Sequence, residues 1–197
     1  MRNLEQELKL RLTEREYNLV AESTEVKPVL LVNYYFTAED LSPDTMVRLR
    51  QIGDRYVMCY KRRISHCDNV MVCDEREVEA TPSFAADVIR NGVGYRALRQ
   101  MFDVDTFDTR LEYAGKLRTY RTTFTWKNMT VELDKCEYLG ITDFELECES
   151  SHVEDLDVLK NYLNHTYGIV IRSSEPKNKR FFDRLKELKQ ANDRQTD

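Results

Sequence analysis

Residues 4–12 read Leu-Glu-Gln-Glu-Leu-Lys-Leu-Arg-Leu, and this stretch decides the fold that the sequence predicts. Because successive side chains of a β-strand point to opposite faces, the stretch has one apolar and one charged face. The apolar face carries Leu4, Leu8, Leu10 and Leu12, and the charged face carries Glu5, Glu7, Lys9 and Arg11. Taken alone, this is best explained as an outer strand with a solvated charged face. Adjacent carboxylates can also bind a divalent metal ion, however, and neighbouring cations can bind phosphate.

Length and composition restrict the class of protein. The chain has 197 residues, 33% of them charged and 41% hydrophobic, with a formal net charge of −5. The length fits one large domain or two small ones, and because the sequence shows no internal repeat, low-complexity tract or linker, we predict one globular domain over residues 1–197. A negative total argues against a nucleic-acid binder, although local clusters of cations can still bind a small polyanion.

The cysteine content and the distribution of apolar residues indicate in which cellular compartment the protein is expected. Five cysteines without a C-x-x-C pair favour a reducing cytosol over a disulfide framework or a zinc site. No apolar run follows the charges at Arg2, Glu5 and Glu7, and no stretch approaches the ~20 apolar residues of a membrane span. We therefore expect a cytoplasmic protein without a signal peptide or a membrane partner.

The hydrophobic pattern predicts about eight strands, mostly antiparallel, and four or five helices. Strands are predicted near residues 4–12, 29–36, 46–52, 55–63, 74–81, 116–126, 129–136 and 143–149. Helices are predicted near residues 13–22, 81–91, 95–102, 151–168 and from 176 onwards. Residues 64–74 are predicted to be largely irregular.

Nearly every predicted strand repeats the opening pattern of a charged face backed by an apolar one. The later charged faces carry Arg48 and Arg50, Lys61 and Arg63, Glu77 and Glu79, Arg121, Glu132 and Asp134, and Glu145, Glu147 and Glu149. We therefore predict an α+β fold in which a closed eight-stranded antiparallel β-barrel has a charged interior and is surrounded by helices. Because an unpaired buried charge costs several kcal/mol, such an interior requires metal ions and an anion as ligands.

The motif Glu5-x-Glu7-x-Lys9 resembles the N-terminal signature of the CYTH superfamily, the triphosphate tunnel metalloenzymes. Further similarities follow in the order of that family: VNYYF at 32–36, Arg48-x-Arg50, Lys61, REVE at 76–79, Arg121, VELD at 131–134, Glu145-x-Glu147 and Lys177-x-x-Arg180. One departure is Thr37-Ala38, which stands where the family usually has Asp-Thr and which we expect to affect the strand exit only.

The resemblance implies a protein that binds a triphosphate with one or two Mg²⁺ or Mn²⁺ ions. The implied metal ligands are Glu5, Glu7, Glu145 and Glu147. The implied catalytic residues are Lys9, Glu132 and Asp134, the last two near a second metal or the attacking water. The implied phosphate-binding residues are Lys9, Arg48, Arg50, Lys61, Arg121 and Lys177. The last helix carries a cluster of cations, Lys177, Lys179 and Arg180. From the sequence it stays open whether this helix face is solvated, or which of the two lysines faces the phosphates.

Three functions are compatible with these residues. The leading prediction is a divalent-metal-dependent triphosphatase that acts on inorganic triphosphate or a small organic triphosphate, such as thiamine triphosphate or a nucleoside triphosphate. One alternative is a class IV-type adenylate cyclase, in which the ribose 3′-hydroxyl of ATP replaces water as nucleophile. The other is a non-catalytic polyphosphate- or nucleotide-binding module. The substrate is expected to be the small-molecule partner, with no nucleic acid, and the choice between monomer and homodimer stays open.

Overall fold

The computed structural model of the chain describes residues 6–67, 70–104 and 107–196. Its strands are β1 (Gln6–Leu12), β2 (Val29–Thr37), β3 (Thr45–Ile52), β4 (Arg55–Cys67), β5 (Val70–Ala80), β6 (Glu112–Trp126), β7 (Met129–Tyr138) and β8 (Ile141–Ser150). Its helices are α1 (Glu14–Glu22), α2 (Pro82–Asn91), α3 (Tyr95–Phe102), α4 (Val153–Tyr167) and α5 (Lys177–Thr196). No described helix combines the length and the apolar character needed to cross a bilayer.

The prediction that residues 64–74 are largely irregular is wrong, because β4 and β5 continue into this stretch. The pairing register between these strands shifts between Arg63 and Ser65. An irregularity of this kind interrupts the alternation of side chains along a strand, so the two-residue period fades from the sequence while the strand continues.

Hydrogen bonding gives one antiparallel sheet with the strand order β1-β8-β7-β6-β2-β3-β4-β5. The α+β class and the eight antiparallel strands are thus confirmed, but the prediction of a closed barrel is wrong. Within the described residues β1 and β5 stand at the two ends of this order and do not pair. The outer edge of β1 pairs instead with a segment near residue 173, because the Arg11 N–H donates to the Arg172 carbonyl at 2.8 Å and the Ser174 N–H to the Lys9 carbonyl at 3.1 Å.

The chain divides into two compact units, which are described separately. Unit 1 comprises Met1–Leu30 and Arg118–Asp197, and unit 2 comprises Leu31–Leu117. Unit 1 contains the consecutive pairings of β1, β8, β7 and β6, and unit 2 those of β2, β3, β4 and β5. The single domain over residues 1–197 stays a prediction.

The leucines of β1 belong to the hydrophobic core of unit 1, as the sequence predicts. Leu8, Leu10 and Leu12 are buried together with side chains of β7, β8, α1 and α4. Burying each leucine contributes about 1.5–3 kcal/mol relative to leaving it exposed. This face of the sheet therefore holds β1 in register, and the alternate residues Glu7, Lys9 and Arg11 lie on the opposite face.

Unit 2 has its own core on one face of its strands. Phe36, Leu49 and Tyr60 are buried there with residues of α2 and α3, among them Val88 and Phe102. The register leaves the alternate residues of β3 and β4 on the other face.

Glu16 ties helix α1 to the segment that follows α4. Its carboxylate completes a capping box by accepting hydrogen bonds from the Thr13 N–H at 2.7 Å and hydroxyl at 2.8 Å. It also accepts the Val170 N–H at 3.0 Å and binds the Arg172 guanidinium. Burial alone would raise the pKa of Glu16, but the hydrogen bonds of Thr13 and Val170 and the charge of Arg172 outweigh it, so this pKa is lowered.

Glu16→Gln should lower the free energy of unfolding by about 1–3 kcal/mol at pH 7, because the part-buried hydrogen bonds from Thr13 and Val170 lose a charged acceptor. Since the pKa of Glu16 is lowered in the folded state, its contribution is complete above the unfolded value of about 4.3 and is lost as the pH falls through the lower folded value. Urea titrations at several pH values test this. The exposed Glu22→Gln on the same helix is the control, expected to change stability by less than about 0.5 kcal/mol. A deficit for Glu16→Gln that does not shrink in acid would contradict the charge argument.

Candidate metal and phosphate site

The pairing register of unit 1 brings charged residues from four strands onto one face. Two rows of directly opposed residues cross this face: Lys9, Glu147 and Glu132 form one, and Arg11, Glu145, Asp134 and Arg121 form the other. Opposed residues of neighbouring strands have Cβ atoms about 4.5–5.5 Å apart. Lys9 therefore faces Glu147 and Arg121 faces Asp134, whereas the opposed pairs Glu147–Glu132 and Glu145–Asp134 consist of carboxylates and need cations from elsewhere.

Six carboxylates and five cations on this side of unit 1 are joined by ion pairs into what we call the charged network. Its members are Glu7, Glu132, Asp134, Asp143, Glu145 and Glu147, and Lys9, Arg11, Arg121, Lys177 and Arg180. The buried charges of the network are neutralised within unit 1 by cations of β1, β6 and α5.

Three members of the charged network form a buried carboxylate trio: Asp134, Glu145 and Glu147. Each offers one oxygen, and the three oxygens lie within 4.8 Å of one another. Hard divalent cations such as Mg²⁺ prefer carboxylate oxygens, and a cationic group already contacts all three carboxylates, so these residues fit a metal ion. Of the four predicted metal ligands, Glu145 and Glu147 lie in the trio, Glu7 lies beside it, and Glu5 lies outside the described residues.

The cation at the trio is the ammonium of Lys177, the first residue of α5. Its Nζ lies 2.9 Å from Asp134 Oδ2 and 3.0 Å from Glu147 Oε2, and it also contacts Glu145 Oε1. Lys179 instead pairs with Asp183 and Glu175 beside it and is exposed. Between the two lysines that the sequence left open, Lys177 therefore faces the charged network.

Arg121 binds several carboxylates of the charged network at once. Its Nε and Nη2 donate to the two Asp134 oxygens at 2.8 and 2.6 Å, its Nη2 also lies 3.0 Å from Glu147, and its Nη1 contacts Glu132. Burial alone would raise the pKa of Asp134, but the Arg121 hydrogen bonds and the Lys177 charge outweigh it, so this pKa is lowered. Burial raises the pKa of Glu132 despite the opposing charge of Arg121. Two neighbouring carboxylates of β7 thus have pKa values displaced in opposite directions.

Lys9 lies between two carboxylates and keeps access to solvent. Its Nζ is 2.8 Å from Glu147 Oε1 and 3.0 Å from Glu7 Oε1, and 19% of its side chain is exposed. Burial alone would lower the pKa of Lys9, but the charges and hydrogen bonds of Glu147 and Glu7 raise it. Lys9 is therefore a permanent cation beside the carboxylate trio.

The sequence analysis assigned no site role to three residues that the structure brings to the charged network. Arg180 contacts Glu145 and Asp143, Ser174 donates a hydrogen bond to Glu145 at 3.2 Å, and Asp143 also accepts from the Tyr138 hydroxyl at 2.7 Å. Asp143 shares the two-residue period of Glu145 and Glu147, and Arg180 lies one helical turn after Lys177, so both carried a usable signal. Ser174 lies outside any periodic segment and carried none.

The remaining predicted phosphate-binding residues lie together in unit 2. Arg48 and Arg50 are on β3 and Lys61 is on β4, all on the face opposite the unit 2 core. Arg50 Nη1 lies 3.9 Å from Glu77, and Lys61 Nζ lies 3.1 Å from Glu75. Arg48 makes no ion pair with a carboxylate within the described residues, and its buried Nε has no hydrogen-bond acceptor there. Unit 2 therefore presents a second group of cations, of which Arg48 is the least neutralised.

The chain is thus an α+β protein whose antiparallel strands carry carboxylates and cations side by side on one face. The model of the CYTH domain matches residues 3–182. The chain therefore belongs to the CYTH domain family, which confirms the resemblance seen in the sequence.

Solved structures from other organisms share this fold. A candidate adenylyl cyclase from Hippeastrum, described as having a dominant triphosphatase activity, is 23% identical, with 90% of this chain and 94% of that chain covered and a TM-score of 0.71. A candidate adenylate cyclase from Bacillus halodurans is 20% identical, with 91% and 97% covered and a TM-score of 0.69. At such identities the likeness concerns the fold alone. Among curated protein sequences no significant match to this chain was found.

Proposed function

We propose that this protein is a divalent-metal-dependent triphosphatase that hydrolyses inorganic triphosphate or a small organic triphosphate. The observation that carries the proposal is the buried trio of Asp134, Glu145 and Glu147, with oxygens within 4.8 Å of one another beside the cations Lys9 and Arg121. A polyphosphate that arrives with its metal needs carboxylates for the metal and cations for the phosphate oxygens within a few ångströms. A site for anions alone would gain nothing from buried carboxylates.

The chain's own side chains would divide the work by position. Asp134, Glu145 and Glu147, with Glu7 beside them, would hold Mg²⁺ or Mn²⁺, which when bound supplies positive charge to the phosphate oxygens. Lys9 and Arg121 would bind phosphate oxygens, Arg121 with a planar fork and Lys9 as a point charge. Glu132, which is half-buried and contacts Arg121, would orient the attacking water.

Several further roles belong to the same proposal. Lys177 would bind phosphate from α5, and Arg48, Arg50 and Lys61 would bind phosphate oxygens from unit 2. Among these three residues, Arg48 gives the strongest support for phosphate binding, because its guanidinium makes no ion pair with a carboxylate within the described part of the chain. Glu5 is proposed as a metal ligand from the sequence resemblance only. We propose that residues 1–197 act as one cytoplasmic domain.

Product analysis tests the reaction class directly. The protein is incubated with inorganic triphosphate, thiamine triphosphate or ATP, each with Mg²⁺, with Mn²⁺ and with EDTA, and phosphate and cyclic AMP are separated by chromatography. We expect phosphate release that requires the metal, because the metal held by the trio would supply positive charge to the phosphate oxygens. The relative rates rank the substrates.

Two other outcomes would each replace the proposal. Cyclic AMP and pyrophosphate from ATP would identify an adenylate cyclase, the activity suggested for the Bacillus halodurans relative. No product from any substrate, with inorganic triphosphate still raising the melting temperature, would identify a binding module.

A further inference from the structure

The ammonium of Lys177 occupies the place in the charged network where a divalent cation fits best. It contacts Asp134, Glu145 and Glu147, the same three carboxylates whose oxygens converge within 4.8 Å. Only 13% of the Lys177 side chain is exposed, and both Asp134 and Glu145 are fully buried. Arg121 contacts two of these carboxylates from the side, but only the ammonium contacts all three, so a divalent ion bound to all three would take the place of the ammonium.

The backbone around Lys177 is placed so that its side chain can leave without unfolding the sheet. Lys177 is the first residue of α5, and the helix is held near the charged network independently by Arg180, which binds Glu145 and Asp143. The buried Phe181 anchors the same turn beside Tyr138. The lysine side chain has four methylene groups joined by rotatable bonds, so its ammonium can move several ångströms while the helix stays docked.

We propose that Lys177 is an exchangeable cation: its ammonium neutralises the carboxylate trio in the free protein and is released when the trio binds a divalent metal ion. The released ammonium then becomes available to phosphate oxygens, so metal binding and phosphate binding favour each other. This inference rests on the proposed function for the identity of its ligands. It adds that the metal affinity of the free protein is set by competition with Lys177.

Metal binding without any triphosphate tests the exchange. Free Mn²⁺ is measured by electron paramagnetic resonance during titration of the wild-type protein, of Lys177→Gln and of two matched lysine variants. We expect Lys177→Gln to bind Mn²⁺ about 10–100-fold more tightly than the wild type, because the competing ammonium is gone. Lys179→Gln removes an exposed lysine of the same helix and should bind Mn²⁺ as the wild type does.

Lys9→Gln tests whether a gain in Mn²⁺ affinity comes from removing the displaced ammonium or only from removing one positive charge near the trio. It removes the same charge, but Lys9 contacts only one carboxylate of the trio, Glu147, so its effect should be clearly smaller. Equal gains for Lys9→Gln and Lys177→Gln would overturn the inference in favour of general electrostatics. An unchanged Mn²⁺ affinity in a folded Lys177→Gln protein would also overturn it.

A second measurement uses the wild-type protein and does not depend on how Lys177→Gln folds. The ammonium signals of ¹⁵N-labelled lysines are recorded by nuclear magnetic resonance, and the Lys177 signal is assigned from its absence in Lys177→Arg. Saturating Mg²⁺ should move or broaden this signal while that of Lys179 stays in place. A Lys177 signal that is unmoved at saturating Mg²⁺ would overturn the exchange.

Neither measurement involves turnover, so the inference and the proposed function can fail separately. If Mn²⁺ displaces Lys177 but no triphosphate is hydrolysed, the exchange is supported and the triphosphatase activity is contradicted. Phosphate release with Mg²⁺ from a protein whose Lys177 does not move would do the opposite.

Discussion

Replacing Lys9 with alanine should lower the turnover of the best triphosphate substrate by about 10²–10³-fold, with the fold intact. Arg121, 21% exposed, is held by three carboxylates, whereas Lys9, 19% exposed, contacts the trio through Glu147 alone. Lys9 can therefore follow charge that develops on a phosphoryl group. Such an interaction is stronger in the transition state than in the ground state, so kcat should fall more than KM rises. Steady-state kinetics with a thermal melt of each protein measure both effects.

Two control variants test whether the effect depends on the position and the shape of the charged group. Lys9→Arg keeps the charge but changes the point-like ammonium into a planar fork, so its activity should lie between those of the wild type and Lys9→Ala. Lys27→Ala removes an exposed lysine outside the charged network and should leave turnover unchanged. Near-normal turnover in a folded Lys9→Ala protein would remove Lys9 from the catalytic residues.

Replacing Asp134 with alanine should destabilise the protein by about 3–5 kcal/mol whether or not it is an enzyme. Asp134 is fully buried and binds both Arg121, through two hydrogen bonds, and Lys177. Its removal leaves two buried cations short of a partner, and this penalty exceeds what the ion pairs contribute over an apolar packing. Urea denaturation monitored by circular dichroism measures the loss.

The matched control for Asp134 is Asp183→Ala. Asp183 pairs with Lys179 on the exposed side of α5, where an ion pair contributes at most about 1 kcal/mol. Similar losses for the two alanine variants would mean that solvent already screens the charged network. A loss below about 1 kcal/mol for Asp134→Ala would contradict the burial argument.

Alternation of side chains predicted most of the fold and a large part of the site. The pattern of residues 4–12 placed Leu8 in the core and Lys9 on the charged face, and the same reasoning placed Asp134 and Glu145 on the same face. This succeeds because a two-residue period combined with an apolar core leaves only one register that buries the leucines.

The sequence could not predict which segment pairs with the outer edge of β1 or which cation lies among the trio carboxylates. The outer edge of β1 is paired by the segment around Ser173, which has no periodic pattern, so the sequence favoured a closed barrel instead. In the same way, the carboxylates of the trio have the composition of a metal site, but only the structure places Lys177 among them. Complementary charges distant in sequence offer many pairings, and their choice depends on three-dimensional geometry.

The division of the chain also governs the order in which its parts can form during synthesis. Unit 2 is a continuous segment, Leu31–Leu117, whereas unit 1 combines Met1–Leu30 with Arg118–Asp197. Strand β1 is made before unit 2, yet its neighbours on both sides, β8 and the segment around Ser173, are made after unit 2. Since domains can fold while the chain is still growing, unit 2 can fold while β1 is still unpaired. A chain truncated before residue 170 should therefore retain a folded unit 2, but β1 would lack one of its two neighbours and the carboxylate trio would lack Lys177.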